Sequence, residues 1–436
     1  MRILVKVFGC RSSLCEGEYI AGELINFGHE ITDDVNLNYD DAVIVTCSVT
    51  SEADKKCRQL IRRARRSIGV NGILAVCGCW SENINIESAK DLGINILTGS
   101  KHKNILPEVL NNMILTGERN EKNFIDLRNI NINIGEWEEL KILRPVMHSR
   151  AFIKIQDGCD HFCTYCVIPF LRGRPVSRPI ENIISELKIL DSNGTREIIL
   201  TGIHLGIYGR EINTSLAELI NKISGLKLKN IVRLRLGSLE PFCLDEKLLR
   251  ALKDCEIFCR HLHLPLQSGD DEILKSMRRG YNAGGFCKIC ENARKNLGDG
   301  LHISSDILTG FPGETDEAFN NTLKIMRKTE LGRVHVFPYS ERAGTVAEKL
   351  KNKVDNKIKS LRTSEAIKLG GELFKNYAEK FVNSDVEILA EKNSCGHAKN
   401  YVEAECVNKN LIENNIYNLR VINISSDGKF KCEHRD

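Results

Sequence analysis

The sequence predicts an α/β protein of three parts: a Rossmann-like N-terminal domain over residues 1–135, a partial (β/α)6 TIM-like barrel over 146–375, and a small β-barrel over 380–436. Three observations support this fold class. Apolar strand patterns alternate with amphipathic helix patterns through most of the chain. Glycine or cysteine follows the end of most predicted strands, where parallel α/β sheets bind ligands. Short strands separated by Asn, Gly and Ser fill the C-terminal segment.

Composition limits the kind of protein. The chain has 436 residues, enough for two or three domains, and its net charge of +4 neither requires nor excludes a nucleic-acid partner. No apolar run reaches membrane-spanning length and the N-terminus is predicted to form a strand, so we expect a cytoplasmic protein with no membrane partner. Seventeen cysteines are too few for a disulfide scaffold, and clustered cysteines in such a chain indicate metal or catalysis.

Three cysteines of the N-terminal domain each lie just past the end of a predicted strand. They are Cys10, Cys47 and Cys79, and the carboxyl ends of parallel strands share one edge of a sheet. A metal cluster at that edge is one interpretation, and unrelated core thiols are the other. Cys77 is a rival to Cys79, because side chains two apart on a strand share a face. The predicted strands and helices are Ile3–Phe8, Glu18–Phe27, Ala42–Val45, Asp54–Ser67, Ile73–Val76 and Ile105–Ile114.

The helix Asp54–Ser67 is strongly basic. Arg62, Arg65 and Arg66 are candidates for contacts with RNA phosphates, and a solvated helix face is the alternative. The polar, Asn-rich residues 115–145 predict a linker with one edge strand.

The second domain repeats strand and helix six times, as a partial barrel requires. Five histidines in or beside its strands are predicted to be hydrogen-bonded core residues: His204, His261, His263, His302 and His335. The predicted strands are Ala151–Ile155, Glu197–Leu200, Val232–Leu236, His261–Leu264, His302–Ile307 and Arg333–Phe337.

The loop after the first of these strands carries three cysteines. Cys159, Cys163 and Cys166 have C-x3-C-x2-C spacing, so they can hold three corners of an iron–sulfur cube and leave one iron open to a small chelating molecule. A zinc site completed by His161 and a set of inert buried thiols are the alternatives.

The segment K-I-Q-D-G-C-D-H-F-C-T-Y-C-V-I-P-F-L-R-G-R resembles the methylthiotransferase branch of the radical S-adenosylmethionine (SAM) superfamily. The resemblance implies that the loop cysteines bind a catalytic [4Fe–4S] cluster and that SAM chelates its fourth iron. One electron then cleaves SAM to methionine and a 5′-deoxyadenosyl radical.

The N-terminal cysteines lie in segments similar to motifs of the same family: F-G-C-R-S-S, V-T-C-S-V-T and V-C-G-C-W-S-E. The resemblance implies that Cys10, Cys47 and Cys79 bind an auxiliary [4Fe–4S] cluster. The chain departs from the family pattern at Ser13 and Val45, where the family has Asn, and at Ser81-Glu82, where it has Ala-Gln.

The resemblance also implies residues for SAM and RNA. The SAM amino group, ribose and adenine would meet three pairs: Thr201 and Gly202, Gln267 and Ser268, and Thr309 and Gly310. Arg172, Arg174 and Arg178 follow the cysteine loop and either contact substrate phosphates or cap the barrel rim.

Residues 380–436 are similar in length and position to the family's TRAM domain, an RNA-binding barrel, and a helix at Ser360–Phe374 precedes them. The resemblance implies a tRNA methylthiotransferase that uses two SAM molecules and two [4Fe–4S] clusters. It would add a methylthio group to C2 of N6-threonylcarbamoyladenosine at tRNA position 37, because Leu200–Gly209 and the run H-V-F-P-Y-S are similar to that branch. Its partners would be tRNA, a flavodoxin- or ferredoxin-like electron donor and a sulfur source.

Three alternatives remain open. Two are other methylthiotransferases, acting on isopentenyladenosine in tRNA or on a ribosomal-protein aspartate. The third belongs to a different class, a non-catalytic iron–sulfur protein that binds RNA.

Overall fold

The computed structural model describes residues 1–48, 50–119, 123–128 and 136–435. The predicted domain boundary at residue 135, and the Asn-rich stretch 129–135 before it, lie outside these ranges. The chain divides into two compact units. The first unit holds residues 1–161, 166–193 and 201–203, and the second holds 162–165, 194–200 and the chain from 204 onward.

The first unit is built on a parallel sheet of six strands in the order β2-β1-β3-β4-β5-β6. The predicted Rossmann-like α/β domain is confirmed, and the order of its strands is flavodoxin-like. Its elements are β1 (Arg2–Val7), α1 (Arg11–Asn26), β2 (Glu30–Thr32), β3 (Asp41–Thr46), α2 (Ser51–Ile68), β4 (Leu74–Gly78), α3 (Cys79–Glu82), α4 (Ile86–Asp91), β5 (Ile96–Leu97), α5 (Leu106–Thr116) and β6 (Ile125–Asp126).

Apolar residues bury both faces of this sheet. Along β3, Val43 packs on the side of α1 and α5, and Ile44 packs on the side of α2. Helix α1 begins seven residues before the predicted start at Glu18. The prediction was wrong there because Ser12 and Glu16 are polar yet buried, so the first turns lack the apolar period of an amphipathic helix.

The first unit continues into the segment that carries the cysteine loop. The predicted strand at Ala151 is present, and a helix that begins at Ile180 ends the segment. Two short strands, β8 and β9, pair in antiparallel fashion around the loop. The elements are β7 (Ala151–Lys154), β8 (Gln156–Asp157), α6 (Ile168–Arg172), β9 (Val176–Ser177) and α7 (Ile180–Ser192).

The second unit repeats parallel strands and helices. β10 pairs with β11, and β12, β13 and β14 pair in that order. Single parallel bridges, such as that between Ser238 and His263, join β11 to β12. The elements are β10 (Glu197–Thr201), α8 (Leu216–Ser224), β11 (Arg233–Leu236), α9 (Glu246–Asp254), β12 (His261–His263), α10 (Asp271–Ser276), α11 (Ala283–Leu297), β13 (His302–Thr309), α12 (Asp316–Lys328), β14 (Arg333–Pro338) and α13 (Asn356–Glu379).

A closed five-stranded barrel ends the second unit, which confirms the predicted small β-barrel. Its interior holds Ile388, Leu419 and Phe430, and α13 adds Phe374 and Tyr377 to the same core. The strands are β15 (Asp385–Ala390), β16 (Cys395–Ala398), β17 (Glu403–Cys406), β18 (Ile416–Ile424) and β19 (Phe430–Glu433). Within the described ranges, no helix is long and apolar enough to cross a membrane.

Candidate metal centres and active site

Cys10, Cys47 and Cys79, here called the auxiliary set, lie beyond the carboxyl ends of three adjacent parallel strands. Cys10 follows β1 at the N-terminus of α1, Cys47 directly follows β3, and Cys79 opens α3 directly after β4. In flavodoxin-like sheets the ligand crevice opens at the switch point between β1 and β3. The structure therefore places the auxiliary set along the ligand-binding edge of the sheet.

Gly78 separates Cys79 from its rival Cys77. Its φ of 108°, and a backbone oxygen of Thr46 that a Cβ would meet at 2.4 Å, require glycine at this turn. Strand β4 ends there, so the two cysteines do not share a strand face. Cys77 lies in the apolar core beside α1, where burial raises the pKa of its thiol to about 12.

A buried guanidinium is directed at the auxiliary set. Arg172, at the end of α6, donates from Nε to Sγ of Cys79 over 3.3 Å. Its Nη1 is 2.8 Å from Glu16 and 3.1 Å from Asp157. Burial raises the pKa of the Cys79 thiol, and the guanidinium acts against that rise. Arg172 thus favours the thiolate, which is the form that binds iron.

The structure corrects two of the three predicted RNA contacts near the cysteine loop. Arg172 is engaged in the buried network with Glu16, and Arg178 is buried in ion pairs with Glu139 and Glu186. Neither guanidinium is exposed to a phosphate, because each neutralises carboxylates inside the first unit. Arg174 is exposed and stays a candidate.

Cys159, Cys163 and Cys166, here called the loop set, are all partly exposed. Gly158 has a φ of 73°, and a Cβ there would meet the carbonyl oxygen of Arg174 at 2.1 Å. The backbone N–H of Cys159 donates to Gly173 over 3.1 Å. These interactions fix the start of the loop.

Within the second unit, another buried guanidinium is directed at Cys163 of the loop set. Arg279 donates from Nη1 to Sγ of Cys163 over 3.2 Å, and its Nη2 forms an ion pair with Glu240. Burial raises the pKa of the Cys163 thiol, and Arg279 opposes that rise. Sequence reasoning missed this residue, which lies 116 positions from its partner. The only signal was the Arg278–Arg279 pair after α10.

Among the described residues, no group of three or more His, Cys, Asp or Glu side chains could hold a single metal ion. The fit to iron–sulfur clusters is therefore judged by donor chemistry. Each set offers three thiols, the usual ligands of such clusters. In each set one sulfur also accepts a hydrogen bond from a buried guanidinium, which compensates thiolate charge. Both sets fit a [4Fe–4S] cluster.

The predicted SAM residues Thr201 and Gly202 lie at the carboxyl end of β10, Thr201 as its last residue. Thr201 is buried, and a Cβ on Gly202 would lie 2.9 Å from the side chain of Gln156. The amide of Gln156 donates to the carbonyl oxygens of Asp157 and Gly158, both over 2.8 Å. The close packing at Gly202 therefore supports the backbone that leads into the loop set.

The predicted ribose residues follow β12. Gln267 has a φ of 65°, which is unusual for a residue other than glycine, and its N–H donates to Asp306 over 2.8 Å. Ser268 is buried and accepts from the N–H of Asp270 over 3.2 Å. Residues other than glycine with a left-handed backbone, such as Gln267, are found more often at ligand-binding sites than elsewhere.

The predicted adenine residues lie at the carboxyl end of β13, with Thr309 its last residue and Gly310 the next. The hydroxyl of Thr309 lies 2.7 Å from that of Thr363 on α13. The N–H of Gly310 donates to Glu314 over 2.7 Å, and Glu314 is paired with Arg362. Helix α13 therefore braces this loop.

The basic helix α2 presents only part of its charge to solvent. Arg62 and Arg66 are exposed. Arg65 instead donates to the carbonyl oxygen of Gly93 over 2.9 Å and to the side chain of Asn95 over 3.1 Å. The guanidinium of the partly exposed Arg65 thus anchors the turn before β5, and an RNA contact at this residue stays a prediction.

Two protein families match parts of the chain. The radical SAM superfamily matches residues 153–326, and an uncharacterized protein family, UPF0004, matches residues 2–99. Among solved structures, the radical SAM methyltransferase TsrM from Kitasatospora setae shares the fold, with a TM-score of 0.53 and 17% identity over 77% of this chain and 74% of that chain.

Curated relatives match most of the chain. The threonylcarbamoyladenosine tRNA methylthiotransferase MtaB of Bacillus subtilis is 34% identical over 88% of this chain and 83% of its own length. The protein of the same name from Thermotoga maritima is 30% identical over 99% and 96%. A tRNA-2-methylthio-N6-dimethylallyladenosine synthase from Acetivibrio thermocellus is 31% identical over 89% and 80%.

The fold, the loop set and these matches define a radical SAM enzyme. The chain belongs to the radical SAM methylthiotransferase family. Its cofactors are those of the family, SAM and two [4Fe–4S] clusters.

Proposed function

We propose that this enzyme adds a methylthio group to C2 of N6-threonylcarbamoyladenosine at position 37 of tRNA, beside the anticodon. The names of the relatives from Bacillus subtilis and Thermotoga maritima support this substrate, as does a third relative of that name from Rickettsia prowazekii, 30% identical over 99% of this chain. The run L-T-G-I-H-L-G-I-Y-G at Leu200–Gly209 favours the same branch.

One observation carries the proposal: the chain has two separate sets of three thiols, and a buried arginine donates to one sulfur in each set. The auxiliary set would hold one cluster and the loop set the other. When bound, the loop-set cluster supplies the electron that cleaves SAM, and the auxiliary cluster supplies the site of the sulfur to be transferred.

The protein's own groups position and stabilise these partners. Arg172 and Arg279 donate to the sulfurs of Cys79 and Cys163 and so favour the thiolate form that clusters require. The turn that contains Gln267 would offer backbone and side-chain groups to SAM at the carboxyl end of β12.

The tRNA would contact exposed cations and the C-terminal barrel. Arg62, Arg66 and Arg174 are exposed and available for phosphates. The other partners would be a flavodoxin- or ferredoxin-like electron donor and a sulfur source, and the cytoplasm, where tRNA is found, is the expected location.

Reconstituted protein with SAM, dithionite and tRNA carrying threonylcarbamoyladenosine tests the proposal. We expect 5′-deoxyadenosine and a methylthiolated nucleoside, both detected by mass spectrometry. Cys159→Ala should abolish both products, and Cys79→Ala should abolish only the methylthiolated nucleoside. If the wild-type protein makes no 5′-deoxyadenosine, the proposal fails and the result favours the alternative of a non-catalytic iron–sulfur protein that binds RNA. 5′-Deoxyadenosine with unchanged tRNA would point to a ribosomal-protein aspartate.

A further inference from the structure

A hairpin of the C-terminal barrel meets the amino-terminal ends of the parallel strands within the second unit. This floor hairpin (residues 397–402) joins β16 to β17. It contacts Arg233, His261 and His302, which are the first residues of β11, β12 and β13. The predicted SAM residues of the same unit follow the opposite ends of these strands. The strands β10–β14 of the second unit form an open half-barrel. The floor hairpin therefore covers the end of this half-barrel that faces away from the predicted SAM residues.

Backbone carbonyls of the hairpin accept hydrogen bonds from two buried arginines and a buried histidine. Arg235 donates to Ala398 over 2.7 Å and to Lys399 over 2.8 Å. Arg233 donates to His397 over 2.8 Å, and Nδ1 of His302 donates to Asn400 over 2.7 Å. Four successive carbonyls, from residue 397 to residue 400, thus face the strand ends.

The two arginines lie deep in the second unit and share one buried carboxylate. Arg235 Nε is 2.7 Å from Glu197, and Arg233 Nη1 is 3.4 Å from it. Both guanidinium groups are at most 1% exposed at the side chain. Arg233 Nη2 is also 2.9 Å from the partly exposed carboxylate of Glu387. The hairpin carbonyls accept from the N–H groups that these two carboxylates leave over.

Aromatic rings complete the floor. The ring of Tyr401 lies 4.7 Å from that of His261 and 4.9 Å from the guanidinium of Arg235. Tyr377 of α13 stacks on His302 at 4.5 Å. Tyr401 has a φ of 68°, a left-handed conformation that directs the hairpin tip into this position.

Above the floor, a column of polar side chains runs along the strands. Nε2 of His261 is 2.8 Å from the hydroxyl of Ser304, which is 2.9 Å from Nδ1 of His263. Nε2 of His263 is 3.1 Å from Asp306, whose backbone oxygen binds Gln267. A polar interior of this kind holds water wherever it is open to solvent.

We propose that the floor hairpin is a structural part of the radical chamber: it seals the amino-terminal end of the half-barrel and so couples SAM cleavage to substrate. This inference rests on the proposed function, because it gives the C-terminal barrel a task besides binding RNA. Closed sites protect reactive intermediates from side reactions, and the half-barrel of the second unit is not closed by its own strands. Tyr401 is a positioning residue in this scheme.

The test removes the ring of Tyr401 without straining its backbone. Tyr401→Gly and Tyr401→Asn both remove the ring, and both residues tolerate the positive φ of this position. Tyr401→Phe keeps the ring and removes only the hydroxyl. Tyr417→Ala is the matched control, because Tyr417 belongs to the same barrel and contacts His434 instead of the floor. Each cluster-loaded protein is assayed for 5′-deoxyadenosine formed per methylthiolated nucleoside, for tRNA affinity, and for amide hydrogen exchange over β11 and β12.

We expect Tyr401→Gly and Tyr401→Asn to raise the ratio of 5′-deoxyadenosine to product several-fold and to speed exchange at β11 and β12, with tRNA affinity unchanged. Tyr401→Phe and Tyr417→Ala should behave as wild type. Unchanged ratio and exchange in both ring-deleted variants, or a loss of tRNA affinity alone, would overturn the proposal. If wild type makes no methylthiolated nucleoside, the proposed function fails, and the exchange measurement still decides whether the hairpin seals the strands.

Discussion

Arg279 donates from Nη1 to Sγ of Cys163 over 3.2 Å, and the guanidinium is buried with Glu240 as its counter-ion. The first unit repeats this arrangement where Arg172 donates to Cys79 over 3.3 Å. Hydrogen bonds to cluster sulfurs and the charge around them set the reduction potential of iron–sulfur clusters. These two arginines are therefore expected to tune the clusters as well as to hold the thiolates.

Replacing Arg279 should make the loop-set cluster harder to reduce. Arg279→Gln removes a charge-assisted hydrogen bond to the cluster ligand Cys163. We expect the reduction potential of the loop-set cluster to fall by up to about 60 mV, the one-electron equivalent of about 1.4 kcal/mol. Redox titration followed by electron paramagnetic resonance measures the shift. Arg278→Gln is the control, because Arg278 is adjacent but exposed. Equal potentials in the two variants would show that the bond to Cys163 has no electronic role.

Iron analysis should distinguish Cys79 from Cys77. We expect about eight irons in reconstituted wild type and about four in Cys79→Ala, because one [4Fe–4S] cluster is lost. Cys77→Ala should keep about eight, since Cys77 belongs to the apolar core. The reverse pattern would make Cys77 the ligand.

Exposed cations of α2 should contribute to tRNA binding. The logarithm of the tRNA binding constant falls linearly with the logarithm of the salt concentration, and each cation that neutralises a phosphate adds about 0.9 to the steepness of that fall. The double variant Arg62→Gln and Arg66→Gln should therefore make the fall shallower by up to about 1.8. Filter binding over a salt series measures this slope. Arg250→Gln removes an exposed cation from α9 and is the control. A slope that matches the control would remove α2 from the RNA surface.

Stability should fall below neutral pH because His302 is buried in its neutral form. Burial lowers the pKa of His302 to about 4, with smaller contributions from Arg333 and Arg235, against two backbone hydrogen bonds that raise it. The unfolded chain, with a pKa near 6.5, binds the proton first as pH falls. The free energy of unfolding is therefore expected to drop by about 3 kcal/mol between about pH 6.5 and about pH 4.

Denaturant unfolding of His302→Asn gives the comparison for that pH dependence. Asn can still donate to the carbonyl oxygen of Asn400 but does not titrate in this range. The variant should lack the part of the acid loss that His302 causes in wild type. Parallel pH curves for the two proteins would contradict a neutral, buried His302.

Much of the fold followed from local sequence patterns. Strands and the loops after them carry short-range signals, so the carboxyl-edge positions of Cys10, Cys47 and Cys79 could be anticipated. The start of α1 could not, because Ser12 and Glu16 are buried polar residues that hide its helical period. Strand order depends on long-range pairing, so the flavodoxin-like order of the sheet could not be read from local patterns.

The roles of arginines were the least predictable part of the site. Arg172 and Arg178 look like surface cations in the sequence. In the structure both are buried, and they form ion pairs with Glu16 and Glu186. The carboxylates lie outside the segment that carries the arginines, so no local pattern shows the pairing. The contacts of the floor hairpin could not be predicted for the same reason, because Arg235 and its acceptor at Lys399 are 164 residues apart.

The choice of tRNA substrate is the central claim, and a paired assay tests it most directly. Reconstituted enzyme is given SAM, dithionite and equal amounts of two tRNAs, one carrying threonylcarbamoyladenosine and one carrying dimethylallyladenosine at position 37. The account predicts a methylthio group on threonylcarbamoyladenosine only, measured by mass spectrometry of the digested nucleosides. Methylthiolation of dimethylallyladenosine alone would contradict it and assign the enzyme to the other branch of its family.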